Sequence, residues 1–357
     1  MSLPVNEKSE RLWSQLLAQG YVNDAMPSLA STASPWYVRL LIGFSGWFAA
    51  AFILGFLQLA FSFIFHNDAA TILFGLALIF LAYVMLQKKP GNDFFFQFAL
   101  ASSFAGQILI VASLKLFQWF SPGNAANWLL LGLFMASLAW FIPASIHRVW
   151  SAFAAVVTIS IAFSLWNIHY IQTAFIMLLV AITWLNEFRW VEYQDKLKPI
   201  GYGLTLALLY QASTGFYSQI FWNSSKYKDS LVQPWVAELF TGMVLLYVVF
   251  QLFRRTQATI SKPVIYAAIA GVLILIFASL KMYGITVGVM VILLGYANAN
   301  RILTGLGIFS LLTYISTYYY SLHTTLLIKS QSLLILGLLL LLASWLMRTV
   351  LFSGKEK

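Results

Sequence analysis

The stretch AATILFGLALIFLAYVMLQKK, residues 69–89, decides the fold. From Ala69 to Gln87 no side chain carries a charge, and the run stops at the pair Lys88 and Lys89. A helix crossing about 30 Å of hydrocarbon needs about 20 mostly apolar residues, because each residue rises about 1.5 Å and lipid leaves no backbone group a water partner. Residues 69–87 meet that requirement. The same pattern recurs along the chain at 40–65, 94–114, 125–146, 149–168, 170–186, 199–222, 235–253, 263–280, 282–297, 302–320 and 326–347. The sequence therefore predicts an all-α polytopic membrane bundle of about 12 spans. Two joints are the weakest, Asn167 to His169 and Lys281 to Gly284, where a kinked or re-entrant element is the alternative to two crossings.

Composition points the same way. Of 357 residues, 61% are hydrophobic and 9% charged, which excludes a soluble enzyme, a coiled coil and a disordered chain. The absence of cysteine removes disulfides, iron–sulfur clusters and thiol chemistry.

The formal charge of +10 would suggest nucleic acid in a soluble protein. Here it is better explained by sidedness. With the N-terminus taken as cytoplasmic, the outer segments hold only Lys115, Lys226, Lys228, Lys281 and Lys329 of the 21 Lys and Arg residues. The rest fall on the inner side, as membrane proteins require of cytoplasmic loops, so both termini are expected inside and nucleic acid drops out as a partner. Trp and Tyr agree, since their rings favour the headgroup level. Trp36, Trp150, Trp190 and Trp345 fall at the inner boundary; Trp119, Trp128, Trp166, Trp222, Trp235 and the run Tyr318-Tyr319-Tyr320 fall at the outer one.

Three regions follow: residues 1–35, a cytoplasmic amphipathic helix and linker; 36–348, the transmembrane domain; and 349–357, a cytoplasmic tail. In the first, Ser9 is read as the cap of a helix that places Leu12, Trp13, Leu16 and Leu17 on one face and stops at Gly20. That helix lies on the membrane surface or docks on a partner. No cleavable signal peptide is expected, because Glu7, Glu10 and Asp24 precede the first apolar run.

Polar residues inside the spans are few. Lys329 stands about one turn inside the last span, with Thr325 and Ser332 beside it at helical spacing. Its ammonium either snorkels to the headgroups or forms a buried pair, for which Glu238 is the natural partner. Ser310, Thr313 and Thr317 make a stripe leading to Tyr319, read as hydrogen bonding between neighbouring helices. Lys329, Thr325, Ser332, Glu238 and Tyr319 form the candidate outer-face polar site.

His66, His169 and His323 also map to the outer side, but no metal site is expected from them, and His66-Asn67-Asp68 reads as a short polar turn. Glycine pairs, Gly284 with Gly288 and Gly305 with Gly307 among them, read as packing devices. No phosphate-binding loop, HExxH or GxSxG occurs, so no cofactor and no catalytic residue is assigned.

Pro35-Trp36-Tyr37-Val38-Arg39, running into the glycine- and aromatic-rich stretch from Leu40 to Leu57, resembles the opening of a bacterial polytopic family known as a domain of unknown function, DUF4401. The closing residues resemble it more specifically: Gly305-Leu306-Gly307, Tyr318-Tyr319-Tyr320-Ser321-Leu322, and Thr325-Leu326-Leu327 followed by Lys329-Ser330. The resemblance runs from Pro35 to about Met347, specific at its two ends and by hydropathy between them. It implies a bacterial inner-membrane protein related to the DUF2157 group. It further implies a small membrane-anchored partner carrying a GDYxxLxY motif, bound at the outer face. The family has no assigned activity, so it places no catalytic role on Lys329 or Tyr319.

Three functions are open at this point. The favoured one is a non-enzymatic membrane subunit that binds a partner at the periplasmic face. The alternative is a secondary transporter or lipid-handling protein, in which Gln58, Gln107, Gln172, Gln211 and Gln251 would line a cavity. A membrane-embedded transferase or hydrolase comes last, for want of paired carboxylates or a nucleophile–base set.

Overall fold

The computed structural model describes residues 7–20, 36–60, 66–88, 93–114, 124–168, 171–220, 234–255, 262–280 and 284–321, with the single residues 327, 330, 331 and 334. These residues form α1 (Glu7–Ala18), α2 (Trp36–Ala60), α3 (Asp68–Gln87), α4 (Asp93–Ser113), α5 (Ala125–Phe141) and α6 (Ser145–Leu165). After them come α7 (Ile171–Leu185), α8 (Gln194–Ile220), α9 (Pro234–Arg255), α10 (Lys262–Ser279), α11 (Ile285–Ala297) and α12 (Arg301–Ser321). No strand occurs among the described residues. The fold is all-α, and the first eleven apolar segments of the sequence each coincide with one helix from α2 to α12. The twelfth segment, the linker before α2 and the C-terminal tail lie outside the described residues.

Five of these helices are long and apolar enough to cross a membrane: α3, α4, α6, α9 from Trp235, and α12 to Tyr320. Their outward faces are greasy. Leu73 on α3 is 67% exposed and Phe309 on α12 is 71% exposed. Large exposed apolar faces of this kind suit lipid better than water.

The two weak joints are real breaks between helices. Asn167, after α6, has φ 59°, and Gly284, before α11, has φ 88°. The second needs glycine twice over, because a Cβ there would also stand 2.9 Å from the Tyr314 ring. The helices that follow are short. α7 has 15 residues and α11 has 13, about 23 and 20 Å at 1.5 Å per residue, against about 30 Å of hydrocarbon. Both sit in the interior, where neighbouring helices surround them.

Helix ends follow local chemistry. Asn67 accepts hydrogen bonds from the backbone N–H groups of Ala69 and Ala70, so the turn at His66-Asn67-Asp68 is the N-cap of α3. Gly20 takes φ 73° after α1, as expected of a helix stop. Ser9 does not cap α1. The helix begins two residues earlier, at Glu7, and Ser9 lies in its first turn.

Packing divides into two cores. Ile79, Leu86, Leu100, Leu131, Met135 and Ile142 form one among α3, α4, α5 and the start of α6. Met177, Trp184, Leu208, Leu245, Met290 and Leu294 belong to the other, which spans α7 to α12. Within the first, α3 and α4 cross at glycine: a Cβ on Gly75 would lie 2.7 Å from the Gly106 carbonyl oxygen, and one on Gly106 2.5 Å from that of Gly75. The cores are joined where α8 crosses α6. There Gly203 sits so close to the Val149 carbonyl and Ala152 that no side chain fits between them.

Candidate functional site

Ser103 and Gln107 occupy one face of α4 at a spacing of four, and His147 and Ser151 do the same on α6. The two stripes meet. His147 is 0% exposed; Ser103 Oγ lies 2.8 Å and Gln107 Nε2 2.7 Å from its Nε2, while Ser151 Oγ lies 3.1 Å from its Nδ1. Phe104 stacks flat on the imidazole, centroids 5.2 Å apart and planes 6° apart, and Trp47 of α2 stacks on Phe104 in turn. A buried ring with both nitrogens engaged and one face covered by an aromatic side chain is held fast. One atom is left over: Gln107 Oε1 is buried without a hydrogen-bond partner among the described residues.

The next residue, Arg148, is also buried, at 8% exposure. Its position follows from a proline. Pro199 lies in the second turn of α8 and has no N–H to give to the carbonyl of Asp195, four residues back. Arg148 Nη1 donates to that carbonyl instead, at 3.0 Å, and so ties the start of α6 to the start of α8. Arg148 is thus one of the basic residues assigned to the inner side by sequence, yet it serves as an internal clamp between helices.

Around that clamp lies an organised polar end of the bundle. Asn298 Nδ2 donates to the Trp184 carbonyl at 2.7 Å and to Glu187 Oε2 at 3.2 Å, so the end of α7 is bonded by the turn after α11. Lys198 Nζ stands 3.7 Å from Glu187 Oε1. Asn300 bonds the Tyr202 hydroxyl and accepts from the Leu303 backbone N–H, capping α12.

A third group sits between α6, α7 and α8. Gln172 Nε2 donates to Ser164 Oγ at 3.2 Å and to the Ile168 carbonyl, and Gln211 Nε2 donates to Gln172 Oε1 at 3.3 Å. The glutamines read as possible cavity lining therefore fall apart. Gln107 belongs to the His147 cluster, Gln172 and Gln211 bond each other, Gln251 is half-buried on α9, and the side chain of Gln58 lies outside the described residues.

Of the candidate outer-face site, only Glu238 and Tyr319 are described. Glu238, half-buried in the first turns of α9, accepts a hydrogen bond from Thr241 Oγ1 at 3.3 Å. The Tyr319 ring meets that of Tyr320 edge-on, 5.5 Å between centroids, near the end of α12. Lys329, Thr325 and Ser332 lie outside the described residues, and the proposed Glu238–Lys329 pair with them. The stripe before the tyrosines behaves differently from its reading. Ser310, Thr313 and Thr317 hydrogen-bond carbonyls of their own helix, at Gly307, Phe309 and Thr313, because a helical hydroxyl reaches the carbonyl three or four residues back without help from a neighbour. No cluster of three or more His, Asp or Glu suited to a metal ion occurs among the described residues.

Fold and site together define an all-α protein with five helices long and apolar enough to cross a membrane and a hydrogen-bonded interior. The chain belongs to the family described as a domain of unknown function, DUF4401, whose model matches residues 35–350. No curated protein and no solved structure matches it.

Proposed function

We propose that this chain is a multi-pass protein of the bacterial inner membrane, with both termini in the cytoplasm, acting as a non-enzymatic subunit that holds a partner at its periplasmic face. The observation that carries the reading is how the interior spends its polar groups. His147 closes on Ser103, Gln107 and Ser151, and Gln172 closes on Ser164 and Gln211. Buried polar side chains bonded to one another hold helices together and are not presented to a substrate. Recognition then falls to the rims. Glu238 and the tyrosine run stand at the end opposite the Arg148–Lys198 end, and the sequence pattern assigns Lys329, Thr325 and Ser332 to the same rim. A small membrane-anchored protein bearing a GDYxxLxY motif is the partner that the family resemblance implies.

The test is purification of the tagged chain from its native host in mild detergent. A stoichiometric companion is expected to co-elute with the wild type and to be lost from Lys329→Met, with the amount of membrane-inserted chain unchanged. Absence of any companion from the wild type would overturn the reading.

A further inference from the structure

The first turns of α6 and α8 diverge beyond the Arg148 clamp and leave a cleft of about 580 Å³ between them. On α8 its wall is formed by Asp195, Lys198 and Tyr202, at spacings of three and four that put them on one face. On α6 it is formed by Ser145, Ile146 and Val149. The lining is divided in character. Ile146, Val149 and Pro199 make an apolar floor, while Asp195 and Lys198, both exposed, offer a carboxylate and an ammonium about one helical turn apart.

The surroundings set its depth. Trp140, Trp150, Trp190 and Tyr193 are all exposed at this end of the bundle. Trp140 packs against Tyr193 with ring centroids 6.2 Å apart, and Lys196 Nζ lies 5.0 Å above the Trp140 ring. Exposed amphipathic rings gathered at one level, with a lysine over one of them, mark the boundary between hydrocarbon and headgroups. The cleft therefore opens where phospholipid headgroups lie. Behind its wall lies the buried Arg148 guanidinium, its charge offset by the neighbouring Asp195 carboxylate, and its Nε has no hydrogen-bond partner among the described residues.

We infer that the α6–α8 cleft is a binding site for an amine-bearing zwitterionic phospholipid: Lys198 meets the phosphate, Asp195 the primary ammonium, and Ile146 and Val149 the first carbons of the acyl chains. A carboxylate in the wall disfavours a purely anionic headgroup, and the apolar floor gives a free headgroup nothing to bury. The Lys198 pairing with Glu187 does not compete strongly. Lys198 is 44% exposed in that pair, and Glu187 keeps its bond from Asn298 when the lysine turns away. This site lies at the end away from the proposed partner rim and does not depend on it.

The test uses the full-length protein, stripped of lipid in detergent, and native mass spectrometry with dihexanoyl forms of phosphatidylethanolamine, phosphatidylcholine and phosphatidylglycerol, and with free phosphoethanolamine. Saturable binding of phosphatidylethanolamine about tenfold tighter than of the other two lipids is expected. Asp195→Asn should erase that preference, and Lys198→Gln should weaken all three lipids by about tenfold, while both variants melt, lipid-free, as the wild type does. Should either variant melt early, the other and the wild-type headgroup series decide. Equal binding of all three lipids, a preference untouched by Asp195→Asn, or binding untouched by Lys198→Gln would reduce the cleft to ordinary lipid contact and overturn the proposal. So would tighter binding of phosphatidylglycerol, which means a plain anion site, or binding of phosphoethanolamine as tight as of the lipid, which means a soluble ligand.

Discussion

In the α3–α6 half a single buried imidazole gathers the polar side chains of α4 and α6, whereas the α7–α12 half packs around Met177, Met290, Leu294 and the Trp184 ring, with its polar bonds spread over several small, separate groups. In that second half Trp184 Nε1 donates to Thr205 Oγ1 at 3.0 Å, and the Tyr314 hydroxyl donates to the Leu209 carbonyl at 3.0 Å, with no residue common to the two bonds. In lipid, apolar contact between helices displaces only lipid tails, so close packing and hydrogen bonds must supply the association energy. The two halves distribute that energy differently. A shared acceptor such as His147 makes its partners depend on one another; separate bonds fail one at a time.

The largest break should come from His147→Leu, which strands Ser103, Gln107 and Ser151 in a dry interior. About 3 kcal/mol of stability should be lost in reversible unfolding from detergent. The same substitution made on top of Gln107→Leu should cost clearly less than the two single losses added, and strict additivity would show that the cluster is not a network. Gly203→Val comes next, at about 2 kcal/mol, since the added methyls meet the Val149 backbone at the crossing of α6 and α8 and one helix must move. Trp184→Phe should cost about 1 kcal/mol, and its effect should add to that of Tyr314→Phe, because no residue is common to the two bonds. Coupling between them would erase the contrast drawn here. The smallest effect belongs to Lys198→Gln. Its exposed pairing with Glu187 is worth under about 0.5 kcal/mol, so the melting temperature should hardly change.

The placement of helices was legible in the sequence because hydrocarbon thickness and backbone hydrogen bonding leave few solutions. The apolar runs 69–87, 94–114 and 149–168 became α3, α4 and α6, the first two nearly unchanged and the third beginning four residues earlier, at Ser145, and ending at Leu165. The His147 cluster was not legible. Standing beside Arg148 at the edge of an apolar run, His147 reads as an interfacial residue, and nothing in one sequence says that α4 and α6, separated by α5, bring their polar stripes together. The pairs Ser103/Gln107 and His147/Ser151, each at a spacing of four, were the signal available. The clamp role of Arg148 was hidden for a related reason. The free carbonyl that Pro199 creates lies 47 residues away along the chain and becomes its neighbour only on folding.

The charge asymmetry and the rim site both depend on α9 carrying the chain from one side of the membrane to the other. Reporter tags inserted after Asp229 and after Gln257, on either side of that helix, measure this directly. The account predicts opposite compartments, with the first outside and the second in the cytoplasm. Finding both tags in one compartment would contradict it.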